Sequence, residues 1–311
     1  MTIDILLLLA LPASGKSEIR RYLESLDPAT AKADFGLGPS VQLDDYPYVH
    51  LMRRISEEQR LAGLEPTFFR SATSSLADGR DWGSLIHLLN QDYRALTSGW
   101  GPIGDPGNWM LTRMSKARAL AGADPEFVET RHRASLAARI GPDVGRLIEE
   151  RHDLRVAPGD TIVIEFARGG PQGSPLPIPP PHGYAHSLAQ LSDEILGRSS
   201  IVYVWVTPEE SRRRNQERAQ PGGESSILHH GVPEEVMFGD YGCDDIEWLV
   251  ERSSRPGTIE IGVHQIPLAR FDNRIDKTSF LRGEEWPPDL VGELHAGLKS
   301  AFAALQSRWS R

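Results

Sequence analysis

A chain of 311 residues with 39% hydrophobic content is long enough for one large domain, or for a core domain carrying a substantial insertion. A net charge of -9 argues against a broad nucleic-acid or acidic-membrane footprint, which needs a basic face, but leaves room for a local cationic pocket. The single cysteine, Cys243, excludes an intrachain disulfide and a cysteine-based zinc cluster, and it suits a reducing cytoplasm.

The first expected element is a strand over Ile3–Ala10, an apolar run that feeds into Pro12-Ala13-Ser14-Gly15-Lys16-Ser17 and then a charged helical pattern over Ser17–Leu26. The same run resembles a secretory h-region. Asp4 and the lack of a basic segment before it argue against that reading, and no run reaches the roughly 18 apolar residues of a membrane span. Strand, small-residue loop, Gly-Lys-Ser and helix in that order read as a phosphate-binding loop. Its backbone N–H groups, from Ala13, Ser14 and Gly15 onward, would wrap phosphates while Lys16 neutralises charge and Ser17 reaches Mg²⁺. One position departs from G-x-x-x-x-G-K-[ST]: Ala10 stands where the pattern has its first glycine. It costs about 1 kcal/mol if its backbone needs a positive φ, and little otherwise.

A short strand over Ser40–Leu43 leads into Gln42-Leu43-Asp44-Asp45-Tyr46-Pro47-Tyr48. Open α/β sheets bind ligands at the carboxyl edge of their strands, and adjacent carboxylates there suit a general base with a neighbour assisting metal-bound water. Asp44 and Asp45 are equal candidates for the base. A turn or helix cap is the plainer role for the same pair.

Residues 50–155 break the strand-helix rhythm. Val49–Gly63, Trp82–Ser98, Trp109–Ala121 and Glu126–Arg151 read as helices separated by turn signals such as Gly101-Pro102, so a helical insertion is expected between two core segments, 1–49 and 156–311.

The third strand, Thr161–Phe166, ends in Glu165 and is followed by Arg168. An acid closing a buried strand is a Walker B-like arrangement that holds a metal directly or through water, or orients a nucleophile. Arg168 is placed to clamp a substrate anion, or simply to pair with that acid. Residues 169–183 form a proline-rich loop, followed by a helix over Ala185–Leu196, a strand over Ile201–Val206 and a helix over Pro208–Ala219. Thr207-Pro208-Glu209-Glu210 has the pattern of a capped helix start. Arg214 and Arg218 share one face of that helix, while Arg212 and Arg213 read as solvated surface. His229-His230 is a poor metal pair, because adjacent side chains diverge. Asp244, Asp245 and Trp248 read as a helix start and a packed aromatic. A last strand, Gln265–Phe271, is interrupted by Pro267.

On these motifs the chain resembles the P-loop kinase superfamily, in particular its nucleoside, gluconate and adenylate kinase-like branch. Ala10-Leu11-Pro12-Ala13-Ser14-Gly15-Lys16-Ser17 matches a common loop variant apart from the first glycine, and Asp44-Asp45-Tyr46 is similar to the motif of uridine kinase-like and phosphoribulokinase-like enzymes. The resemblance implies an α/β doubly wound, mainly parallel sheet, with ATP and Mg²⁺ as cofactors. It implies Lys16 at the phosphates, Ser17 and Glu165 at the metal, and Arg214 or Arg218 offsetting transition-state charge from a lid. Asn273 would flank the adenine. The insertion would form the pocket of a small-molecule acceptor, with Tyr46 among its aromatics. The expected activity is therefore cytoplasmic phosphotransfer to a hydroxyl. A P-loop ATPase or nucleotide-dependent binding module is the alternative, and a nucleic-acid end kinase is disfavoured by the charge.

Overall fold

The computed structural model describes residues 2–218 and 231–309. Its centre is a six-stranded sheet of β1 (Ile5–Leu9), β2 (Ser40–Asp44), β3 (Thr161–Phe166), β4 (Ser199–Trp205), β5 (Thr258–Ile261) and β6 (His264–Asp272), in the order β2-β3-β1-β4-β6-β5. All neighbours are parallel except β5, which returns antiparallel on β6. β1 sits between β3 and β4, so the chain leaves the centre of the sheet in both directions from its first strand.

Alternation along the strands fills both faces. Ile5, Leu7 and Leu9 pack with Ile201 and Tyr203 on one side; Leu6, Leu8 and Ala10 pack with Val202 and Val204 on the other. Each fully buried leucine or isoleucine contributes about 1.5–3 kcal/mol of transfer free energy, which makes β1 the anchor of the sheet. The second face is covered by α1 (Lys16–Ser25) and by a π-helical turn, Ala31–Phe35, that follows the short α2 (Pro28–Thr30). Between β2 and β3 lie α3 (Tyr46–Leu61), α4 (Asp81–Ser98), α5 (Pro106–Leu120) and α6 (Thr130–His152). α4 is shared. Its Leu85 and Leu88 enter the core of this helical region, whereas Ile86, Leu89, Tyr93 and Leu96 pack on the sheet.

The expected helix over Ala185–Leu196 is two short ones, α7 (Gly183–Leu188) and α8 (Asp193–Leu196). Ser192 separates them by accepting the Ile195 N–H on its hydroxyl, the capping competition that serine favours over continuing a helix. α9 (Pro208–Arg218) starts as expected, with the Thr207 hydroxyl accepting from Glu210 N. α10 (Glu234–Gly239) and α11 (Ile246–Arg252) precede the β5–β6 hairpin. A 3₁₀ turn (Ser279–Arg282) and α12 (Pro288–Trp309) follow it and complete the second face. Pro267 is tolerated because β6 changes partner there: residues 264–267 pair with β5, and 268–272 with β4. Among the described residues no helix is long and apolar enough to cross a membrane.

Candidate active site

The carboxyl ends of β1, β2 and β3 open into one cavity of about 430 Å³, with Lys16, Ser17, Asp44, Asp45 and Glu165 in its wall. Its far side is formed by Tyr46, Val49, Phe69, Leu76 and Trp82 from the helical region, and by Val236 and Tyr241. Position follows from topology here, since ligands of open α/β sheets collect outside the strand ends where the chain reverses direction across the sheet.

The loop from Ala10 to Ser17 is held by its carbonyl oxygens. Tyr184 Oη donates to Ala10 O at 2.9 Å, Ser14 Oγ to Leu11 O at 2.6 Å, and Ser211 Oγ to Pro12 O at 2.7 Å. Asn273 Nδ2 donates to Ser14 O at 2.8 Å. The amides are left over: among the described residues, no protein acceptor takes the backbone N–H of any residue from Ala13 to Ser17. A run of unpaired amides at the start of α1 has the chemistry to receive an anion, with the helix dipole adding to it. Gly15 is left-handed at φ 97°, and a Cβ there would lie 2.4 Å from Thr278 Oγ1. Ala10 is buried with an ordinary φ, and the strained alanine is instead Ala13, at φ 54°.

Lys16 is half-buried against Ala10 O at 3.3 Å. Burial pulls its ammonium down to about 8, although Glu165 and Asp45 oppose that shift. Asp44 and Glu165 are register partners at the ends of β2 and β3. Burial raises Asp44 to about 6, with Asp45 adding to the shift and Arg151 opposing it, and raises Glu165 to about 7, with Asp44 adding and Arg20 and Lys16 opposing. Arg20 Nε lies 2.9 Å from Glu165 Oε1. That contact is an ion pair without hydrogen-bond alignment, and it leaves the buried oxygen without a donor.

Asp44 and Asp45 differ sharply. Asp44 Oδ1 accepts only the Tyr46 N–H, at 3.1 Å, while Asp45 Oδ2 is paired with Arg168 Nη1 at 2.7 Å. Arg168 is buried beneath the cavity, flanked by Trp82 and Phe166 with ring centroids 5.0 and 5.2 Å from Cζ. Its expected part as a substrate clamp is corrected: it holds Asp45 and the Trp82 carbonyl.

Two further expectations change. Arg214 is 1% exposed, and its guanidinium is used by Glu210, the Asn273 carbonyl and Asp276. It cannot reach the cavity because its partners lie on the side of α9 that packs against the loop after β6. Asn273 is fully buried and braces the loop through Ser14 O and Thr278 Oγ1, with its own Oδ1 taken by Lys277 N. Both amide ends are spent, so it has nothing to offer an adenine. Arg218 does line the cavity, held by Glu18 Oε1 at 2.6 Å, with Arg282 on the same oxygen at 2.7 Å. Arg213 pairs with Glu210 and Glu217 on the surface, as expected, whereas Arg212 is not solvated surface: its side chain is 14% exposed, paired with Glu209 and with Cζ 4.6 Å from the Phe238 ring centroid. Asp245 caps α7 through the N–H of Tyr184 and Ala185 rather than its own helix. His229-His230 lies outside the described residues.

Sequence reasoning passed over Arg20 and Arg53. Arg20 is one turn beyond Lys16, and Arg53 two turns beyond Tyr46; helical spacing was the available signal for both. No family model and no curated protein matches the chain.

Proposed function

We propose that this chain is an ATP- and Mg²⁺-dependent phosphotransferase whose phosphate-binding loop is Ala10–Ser17 and whose acceptor is a small hydroxyl compound. The observation that carries this reading is the row of unpaired amides from Ala13 to Ser17, of which Ala13, Lys16 and Ser17 line the same cavity as Asp44 and Glu165. The residues suit the cofactors. Glu165 keeps a buried oxygen without a donor, and Lys16 is an ammonium whose charge burial disfavours, so each is relieved by a counter-charge. Among the described residues no three acidic, histidine or cysteine side chains gather in metal-holding geometry. Mg²⁺ would accordingly take Ser17 and one carboxylate, with phosphate and water oxygens completing the set.

Bound MgATP would supply the phosphoryl group and spread its developing charge. The chain's own part is to neutralise and to move one proton. Lys16 and the loop amides hold the phosphates, and Arg218 lends positive charge at the same cavity. Asp44 takes the acceptor's hydroxyl proton on Oδ2, since Oδ1 is used by Tyr46 N. A carboxylate near pH 6 matches that task better than Asp45, which Arg168 holds. ADP release screened over a metabolite library, with Lys16→Ala as the blank, tests the reading. Release stimulated by one hydroxyl compound and abolished in the blank is expected; steady hydrolysis that no compound stimulates would instead favour an ATPase.

A further inference from the structure

Among the described residues three arginines line the cavity, and two of them are committed. Arg20 pairs with Glu165 and Glu24, and Arg218 with Glu18. Arg53 differs: among the described residues it has no carboxylate partner. It is half-buried, with Cζ 4.0 Å from the Phe69 ring centroid and Nη1 donating to Ala72 O at 2.9 Å. Those two contacts fix the plane of the guanidinium and, among the described residues, leave its other N–H groups without a protein acceptor. The groups that favour its charge against burial are the Tyr241 and Tyr46 hydroxyls, both raised by burial and so uncharged near neutral pH.

A positioned guanidinium in an apolar wall without a counter-charge is built to receive one, because a planar fork matches a carboxylate or phosphate oxygen pair. The acids of the cavity do not forestall that, for among the described residues none is ion-paired with Arg53: Asp45 is held by Arg168, Glu165 lies against Arg20, Asp240 lies 3.3 Å from His182 Nε2, and Asp44 accepts from Tyr46 N. Resting on the kinase reading above, we propose that Arg53 anchors an anionic group, a carboxylate or a phosphate monoester, on the acceptor. The body of that acceptor lies on Phe69, Leu76 and Trp82, with its hydroxyl toward Asp44. Since one cavity of about 430 Å³ must also take the transferred phosphate, the acceptor is compact, an acidic hydroxyl compound with a ring or short apolar body.

The test uses a matched set on one scaffold: 3-(hydroxymethyl)benzoate, 3-(hydroxymethyl)benzamide and 3-(hydroxymethyl)benzyl phosphate, each titrated calorimetrically into the full chain, with and without ADP. At least one of the two anions should bind about tenfold or more tighter than the amide, and which of them leads identifies the acid. Arg53→Gln should abolish that preference while leaving the amide's affinity within about twofold; Arg53→Lys, which keeps the charge, should retain part of it. Equal binding of all three, binding of none, or a preference that survives Arg53→Gln overturns the proposal. So does an equal loss for all three compounds in Arg53→Gln, which marks a merely structural contact with Ala72. The kinase reading is scored separately, by ADP release against Lys16→Ala, so either can fail alone.

Discussion

Asp44 and Glu165 stand side by side in register at the ends of β2 and β3, two carboxylates on one sheet edge. Burial lifts them to about 6 and about 7; Asp45 adds to the first shift and Asp44 to the second. A carboxyl group raised on folding holds its proton more tightly folded than unfolded. Its contribution is therefore complete below the unfolded pKa and is lost as pH rises through the folded one. Nucleotide-free protein should lose stability from about pH 4 to pH 7, its melting temperature falling by roughly 2–6 °C across that window. Asp81, also raised to about 6 by burial, adds to the slope in the same direction. Glu165→Gln should flatten the upper part of the slope and melt above the wild type at about pH 8. Calorimetric scans across the range decide it; a parallel profile for the variant would show that Glu165 does not carry this cost.

The two adjacent aspartates should separate by kind of effect. Asp44→Asn removes the proposed proton acceptor and should lower kcat about 10²- to 10⁴-fold, with little change in nucleotide affinity and no loss of stability at neutral pH, since it also removes a buried charge. Asp45→Asn strips the carboxylate from Arg168, which is 2% exposed. Leaving that guanidinium unpaired should cost about 2–4 kcal/mol of folding free energy. Urea unfolding beside steady-state kinetics resolves the two, and a catalytic loss of the larger size in Asp45→Asn without a stability loss would reverse the assignment.

The difference between Asp44 and Asp45 was not legible in the sequence, because it depends on Arg168, 123 residues away. The strand core was legible for the opposite reason. β1, β3 and β4 are buried on both faces, and that requirement writes itself into continuous apolar runs. β5 escaped notice because it is four residues long, and its signal was Ile259 and Ile261 alternating before a left-handed Gly262. Arg214 and Arg218 share a helix face by spacing, yet one is sealed against the loop after β6 and the other borders the cavity. Periodicity reports which side chains point together; it does not report how far along the face the neighbouring element extends.

Within the loop, the glycine that matters is Gly15. Gly15→Ala combines a positive φ with a Cβ 2.4 Å from Thr278 Oγ1, and should cost about 2 kcal/mol or more together with most nucleotide binding. Ala10→Gly restores the textual P-loop pattern but should gain no affinity. Ala10 has an ordinary φ and is buried, so the change loosens a packed strand end and costs roughly 0.5–1 kcal/mol. Ala13→Gly should be neutral or stabilising by up to about 1 kcal/mol, since it relieves a left-handed alanine. Thermal melts and nucleotide titrations on the three variants check the ordering, and tighter binding in Ala10→Gly would contradict it.

Asn273 offers the sharpest contrast between a role at the base and a role beneath the loop. A side chain that reads the base, when removed, changes the preference between adenine and guanine nucleotides. A brace changes affinity for both alike, because what it holds is the backbone under the phosphates. Asn273 has its amide donating to Ser14 O and Thr278 Oγ1, and its oxygen accepting from Lys277 N, with the side chain fully buried. Asn273→Ala leaves the Ser14 carbonyl and the Lys277 amide unsatisfied, a loss of about 1–3 kcal/mol. It should weaken ATP and GTP by the same factor, about 2- to 150-fold if half or more of that cost is felt when the loop must be ordered to bind. Asn273→Asp should keep the acceptor for Lys277 but set a buried carboxylate oxygen against the Ser14 carbonyl, and so weaken both nucleotides at least as much as Asn273→Ala. Calorimetric titration of both nucleotides against all three proteins measures it. A shift in the ATP-to-GTP ratio in Asn273→Ala would return this residue to the base.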